Sequence, residues 1–137
     1  EHVHLGTWIA GKIPTGDSLA LRGTATYMGH SIGNVYNNGS LYTAVGSFQN
    51  EWDFDKRTGS VKMNFDQTNY EGKTAIKGSS FNFDGNLSAT GRTGALQGSF
   101  AAPVNPMPAA VMGGFAISET PGNTTYRAAG TFGAERK

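Results

Sequence analysis

The stretch Tyr126-Arg127-Ala128-Ala129-Gly130-Thr131-Phe132 decides the fold. In an extended chain successive side chains point to opposite faces, so Tyr126, Ala128, Gly130 and Phe132 share one side. Its last three residues repeat a unit, a glycine two positions before a phenylalanine, also found at Gly46-Ser47-Phe48, Gly98-Ser99-Phe100 and Gly113-Gly114-Phe115. A glycine inside a strand normally weakens it by leaving nothing to pack. Set beside a cross-strand aromatic, it gives the ring a flat backbone to lie on and lets the sheet curl tightly. The repeats therefore predict a small barrel whose interior is packed by rings over glycines.

The same alternation recurs along the chain. Leu19, Leu21, Gly23, Ala25 and Tyr27 fall on one face, as do Ala44, Gly46, Phe48, Trp52 and Phe54, and then Val61, Met63 and Phe65. Ile76 and Gly78 with Phe81 and Phe83 follow, then Leu96, Gly98 and Phe100, and Val111, Gly113, Phe115 and Ile117. With Leu5–Ile9 and the closing stretch, about eight strands are expected, each with one wet and one dry face. Asn38-Gly39, Asp84-Gly85 and Pro121-Gly122-Asn123 read as hairpin turns, and Asp55–Gly59 as a short polar turn. Glycine, threonine, serine and asparagine interrupt every window long enough for a helix. Without helices to cover sheet edges, the expected fold is all-β, an eight-stranded antiparallel up-and-down β-barrel forming a single domain over residues 1–137. A two-sheet sandwich is the alternative.

Composition narrows the functional classes. Eleven Lys+Arg against ten Asp+Glu leave a net charge of +1, with the basic residues scattered, so no basic field marks a nucleic-acid binder. The 20 glycines in 137 residues show no strict three-residue period, which excludes collagen, and no apolar run reaches the ~18 residues of a membrane helix. The absence of cysteine removes thiolate catalysis, cysteine zinc sites and disulfides together. An opening at Glu1 without a signal-type apolar stretch points to a processed mature protein or an excised domain, and a removed leader would place it outside the cytoplasm.

Several motifs together resemble the β-barrel domain of transferrin-binding protein B-like bacterial surface proteins. Gly23–Gly29 looks like that barrel's early strand, Trp52–Asp55 followed by Thr58–Val61 like its hairpin, and Ile76–Phe81 like its next strand. Gly98–Pro103 with Ala109–Phe115 is similar to its late motif, and Ala129–Arg136 to its closing strand, so the resemblance runs from about Gly23 to Arg136. Where the family has tyrosine-glycine-proline this chain has Ala101, Ala102 and Pro103, and Val104–Pro108 looks like an insertion. No lipobox cysteine or companion handle region lies within these residues. The resemblance implies an eight-stranded barrel on the outer surface of a Gram-negative-type bacterium, in a group whose members capture host iron proteins, haem or immune regulators, or have no assigned ligand. Fold carries over better than ligand.

Catalysis has little support: Ser31 beside His30 lacks the context of a nucleophile elbow, and Asp53, Asp55 and Asp66 lie where turns favour aspartate. No catalytic or metal residues are assigned, although His2 and His4 would share a strand face and could hold a metal with a third ligand such as His30. Haem is a possible cofactor, with His30, Tyr36 or Tyr70 as axial ligand from a loop. If the strands meander, Gly29–Ser40, Gln67–Thr74 and Ala102–Ala109 emerge at one end, and Gly11–Ser18, Asp55–Thr58, Asp84–Thr93 and Glu119–Asn123 at the other. The first end holds Ile32, Val35, Tyr36, Tyr70, Val104 and Met107, residues of the kind that anchor protein interfaces. His30, Tyr36, Tyr70 and Met107 are therefore the candidate ligand-binding residues, unless they fold back to plug the barrel mouth. The expected function is a non-enzymatic extracellular or cell-surface barrel that contacts a host or partner protein, or a haem- or iron-related ligand, through the loops at one end. The alternative is a structural module that self-associates.

Overall fold

A computed structural model describes residues 18–104, 107–119 and 125–137. After a short 3-10 turn at Ser18–Ala20, the described chain is nearly all strand: β1 (Thr24–Asn37), β2 (Ser40–Asp53), β3 (Thr58–Phe65), β4 (Thr68–Ile76), β5 (Asn82–Ala89), β6 (Arg92–Val104), β7 (Pro108–Glu119) and β8 (Tyr126–Arg136). Every strand pairs antiparallel with the next, and β8 closes on β1 from Tyr27↔Arg136 to Asn37↔Tyr126. The result is the closed up-and-down barrel expected from the alternation, not a two-sheet sandwich.

Glycine placement explains how so short a sheet closes. Gly33, Gly46, Gly59, Gly72, Gly85, Gly98, Gly113 and Gly130, one on each strand, sit on the inward parity of their strands. A Cβ at any of them would meet a backbone carbonyl oxygen of the adjacent strand at 1.6–2.5 Å. The wall is bent so sharply there that only hydrogen fits. Rings from neighbouring strands fill the space: Phe48 lies opposite Gly29, Trp52 opposite Gly59, Phe83 opposite Gly98, and Phe115 and Phe132 opposite Gly130 and Gly113. The phenylalanine of every glycine-x-phenylalanine unit is buried in the barrel, as the repeats predict.

Inside, Phe48 and Phe132 stack at 4.2 Å between centroids, and Phe100 meets Trp52 at 5.1 Å, Phe83 at 5.0 Å and Phe54 at 5.6 Å. Asn50, omitted from the dry face in the sequence reading, is fully buried there. Its amide oxygen accepts the Trp52 indole N–H at 2.5 Å, and its nitrogen donates to Ser60 O at 2.9 Å. A buried indole needs an acceptor, and Asn50 supplies one while satisfying its own donor.

The strand set differs from expectation in several places. Gln67–Thr74 is not a connecting loop: apart from Gln67 in the turn it belongs to β4, whose inward residues Gly72 and Thr74 carry no apolar signal. Gly29–Asn37 is the upper half of β1, not a loop; its inward residues include Gly29, Ser31 and Gly33, which carry no apolar signal. Asp84-Gly85 is not a turn but the middle of β5, which becomes a separate strand; the actual turn is Thr90-Gly91, with Gly91 at φ 76°. The proposed insertion near Val104 coincides with a register shift between Ala101 and Val104. The proposed strand at Leu5–Ile9 and the Pro121–Asn123 turn lie outside the described residues.

Candidate functional site

The added strand changes which segments share an end. Three two-residue turns, Asn38-Gly39, Asp66-Gln67 and Thr90-Gly91, lie at one end, called here the hairpin end. The opposite end holds the links from β2 to β3, β4 to β5 and β6 to β7. Tyr36 and Tyr70 therefore lie toward the hairpin end, while Val104 and Met107 lie at the opposite one, correcting the grouping drawn from strand parity.

The four candidate residues are not brought together. Tyr70 is fully buried on the inward face of β4, and its hydroxyl lies 3.4 Å from Arg92 NH1, which donates. Met107 is half-buried against the core, and its carbonyl accepts from Arg136 at 2.8 Å. His30 and Tyr36 both lie exposed on the outer face of β1, six residues apart, or roughly 20 Å along a strand. No two of these three haem candidates could grip one iron from opposite sides. His2 and His4 lie outside the described residues, and among the described residues no group of three or more His, Asp or Glu is placed to hold a metal.

Sequence reasoning missed a polar knot in the barrel mouth. Asp66 Oδ2 accepts the hydroxyls of Tyr42 and Tyr126, each at 2.8 Å, and Asn37 Nδ2 donates to the Tyr42 hydroxyl at 3.1 Å. The Arg92 guanidinium lies 3.5 Å above the Tyr126 ring and donates to Thr68 Oγ1 at 3.1 Å. Asp66 and Gln67 both have left-handed backbones, φ 51° and 60°, without glycine. The two tyrosine bonds hold the Asp66 side chain at a turn whose left-handed backbone costs on the order of 1–3 kcal/mol per residue. Tyr70 and Tyr126 thus plug the mouth. A turn-favouring aspartate was legible at this position, but the partners come from strands distant in sequence.

Burial raises the Tyr126 phenol well above its ordinary value, reinforced by the Asp66 hydrogen bond, and burial raises Tyr27 despite the nearby Arg136 charge. A raised pKa in the folded state means the unfolded chain loses these protons first. Their contribution is full below about pH 10 and is lost as pH rises toward the folded values, by up to ~1.4 kcal/mol per pH unit for each tyrosine. Melting temperature is expected to fall steadily between about pH 10 and 12, and Tyr27→Phe to make that fall shallower.

What remains outside is an exposed apolar surface. Leu41 is 78% exposed and Val45 65%, with Tyr36 beside them on the outer wall. Tyr36 and Leu41 border a shallow depression of about 700 Å³ floored by Ala95, Ala116 and Ala129, with Arg127 at its edge. The Arg127 guanidinium lies 5.6 Å from the Tyr36 ring centroid. Among the described residues no helix is long and apolar enough to cross a membrane.

The closed antiparallel barrel, ring-packed over glycines, has the architecture of the transferrin-binding protein B barrel. Transferrin-binding protein B of Haemophilus parasuis Hp5, a vaccine antigen crystallised as a double mutant, superposes with a TM-score of 0.63 at 20% identity over 84% of this chain. The chain spans 26% of the length of that protein. No protein-family model and no curated protein matches the sequence.

Proposed function

We propose that this chain is a non-enzymatic binding barrel displayed on the outside of a bacterium, contacting a host or partner protein through its outer wall at the hairpin end. The observation that carries this reading is the exposed group of Tyr36 and Leu41 beside an alanine-floored depression, on a barrel whose mouth is closed by its own side chains. Tyrosine anchors interfaces at low entropic cost, and small residues around it let a partner approach the sheet closely. The barrel shared with a transferrin-binding surface protein supports both the binding role and the location.

Capture of host proteins from serum, with transferrin as a separate sample, tests the reading by comparing wild type with Tyr36→Ala. Loss of capture by at least tenfold, equivalent to about 1.4 kcal/mol, at an unchanged melting temperature is expected. Equal capture by both proteins rules this surface out. Haem would have to use one surface ligand, His30 or Tyr36. Titration with haem distinguishes it: a Soret band removed by His30→Ala or Tyr36→Ala would replace the protein-binding reading.

A further inference from the structure

The strand register lays out the depression beside Tyr36 as two rows of outward side chains. The row nearer the hairpin end runs from Leu41 through Tyr36 and Arg127 to Ser118, and the next from Asn34 through Ala129 and Ala116 to Ala95. Neighbouring strands lie roughly 5 Å apart, so the three alanines floor a trough roughly 10 Å long, with the taller row as its bank roughly 7 Å away. Among the described residues that line the depression, Arg127 alone is charged. The run Ser31–Asn50, which supplies Asn34, Tyr36 and Leu41, contains no Asp, Glu, Lys or Arg.

Arg127 is exposed and pairs with no carboxylate among the described residues, whose ion pairs join Arg22 to Asp55 and Lys77 to Asp84. Its guanidinium lies over the Tyr36 ring, 5.6 Å from the centroid. Stacking on a ring leaves the N–H groups at the guanidinium edge free and limits the freedom they lose on binding. An unpaired cation in an apolar setting selects an anion, and the fork of one guanidinium matches one carboxylate through two parallel N–H···O bonds. Phosphate recognition instead gathers several cations or free backbone N–H groups. Here the backbone groups are taken by the ladders of β1, β6, β7 and β8, each paired on both sides. Those closed ladders also exclude an added strand, so a partner engages through its side chains.

On the partner-binding reading of this surface, on which this rests, we infer that Arg127 takes an Asp or Glu carboxylate of the partner protein. An apolar side chain of the same segment sits on the alanine floor. The apolar contact supplies affinity and the charge supplies selectivity: a partner bringing a neutral or basic side chain leaves the guanidinium covered and unpaired.

Short probes separate this contact from the identity of the partner: acetyl-Leu-Glu-amide and its neutral isostere acetyl-Leu-Gln-amide. In an NMR titration at low salt the Glu probe is expected to bind in the millimolar range, shifting the amides of Ala95, Ala116 and Ala129 and the Arg127 Nε signal. The Gln probe should bind at least tenfold more weakly. Arg127→Gln should remove that preference, and Arg127→Glu should transfer it to acetyl-Leu-Lys-amide. Both variants should keep the melting temperature, because Arg127 is exposed and touches Tyr36 on the outer wall. Equal binding of the Glu and Gln probes, or no shift from either in that range, overturns the inference. Tighter binding of acetyl-Leu-phosphoserine-amide than of the Glu probe overturns it in favour of a phosphate. Serum capture tells its failure from that of the surface itself. Capture lost in Tyr36→Ala but kept in Arg127→Gln removes the carboxylate and leaves the surface standing, whereas capture kept in Tyr36→Ala removes the surface.

Discussion

Gly46→Ala and Gly72→Ala are expected to abolish the folded barrel, while Gly114→Ala leaves it standing. At Gly46 an added Cβ would lie 1.6 Å from Asn64 O, and at Gly72 1.6 Å from Asn86 O. Neither glycine has a positive φ, so conformational strain is not the cause. The obstacle is a backbone carbonyl of the adjacent strand, which cannot rotate aside like a flexible side chain. The wall would have to open by more than an ångström at its sharpest bend. Ordinary overpacking costs about 1–3 kcal/mol, and an immovable obstacle takes the cost beyond that range, a large part of the ~5–15 kcal/mol stability of a domain.

Gly114 is the control, because it adjoins the inward Gly113 and carries the opposite parity. Its nearest atom, Gly130 O, would be 3.3 Å from the new Cβ, a conflict relieved by a shift of tenths of an ångström. Alanine there also narrows the unfolded ensemble, which returns about 0.4–1 kcal/mol. Urea denaturation should thus show a near-neutral Gly114→Ala beside two variants without a cooperative transition. Similar losses in all three would mean that the glycines act through strand propensity and not through the curvature of the wall.

This contrast also explains what the sequence could disclose. The glycine-x-phenylalanine units were legible because glycine and ring share one strand and parity fixes their common face. The upper half of β1 was not, because Gly29, Ser31 and Gly33 leave room for rings donated by other strands, such as Phe48 opposite Gly29. Asp84-Gly85 read as a turn because that dipeptide suits one, whereas Gly85 is an inward glycine whose Cβ would strike Lys73 O at 2.3 Å. Losing β5 as a strand reversed the direction of the segments after it, which misplaced Met107 and Val104 at the hairpin end. The Asp66 knot depends on where strands stop relative to their neighbours. That is a property of register, and no single segment contains it.

Phe100→Ala is expected to be the most damaging of the core truncations. Phe100 is fully buried and meets four other rings: Trp52, Phe83, Phe54 and, at 6.5 Å, Tyr27. Truncating a buried phenylalanine costs about 3–5 kcal/mol through lost transfer energy and the residual cavity. Aromatic pairs add about 0.5–1.5 kcal/mol each, so Phe100 belongs at the upper end. Phe115, with Phe65 at 5.0 Å as its aromatic neighbour, belongs at the lower end. The inward glycines sharpen the difference, because a wall already at closest approach cannot collapse into the space a ring vacates. Denaturant midpoints should therefore rank wild type above Phe100→Leu, with Phe115→Ala lower and Phe100→Ala lowest. If Phe100→Ala equals Phe115→Ala, the rings act as independent fillers and not as one packed lattice. Folded Phe100→Ala should leave the proposed Tyr36 binding surface intact, since the ring network and the outer wall lie on opposite faces of the sheet.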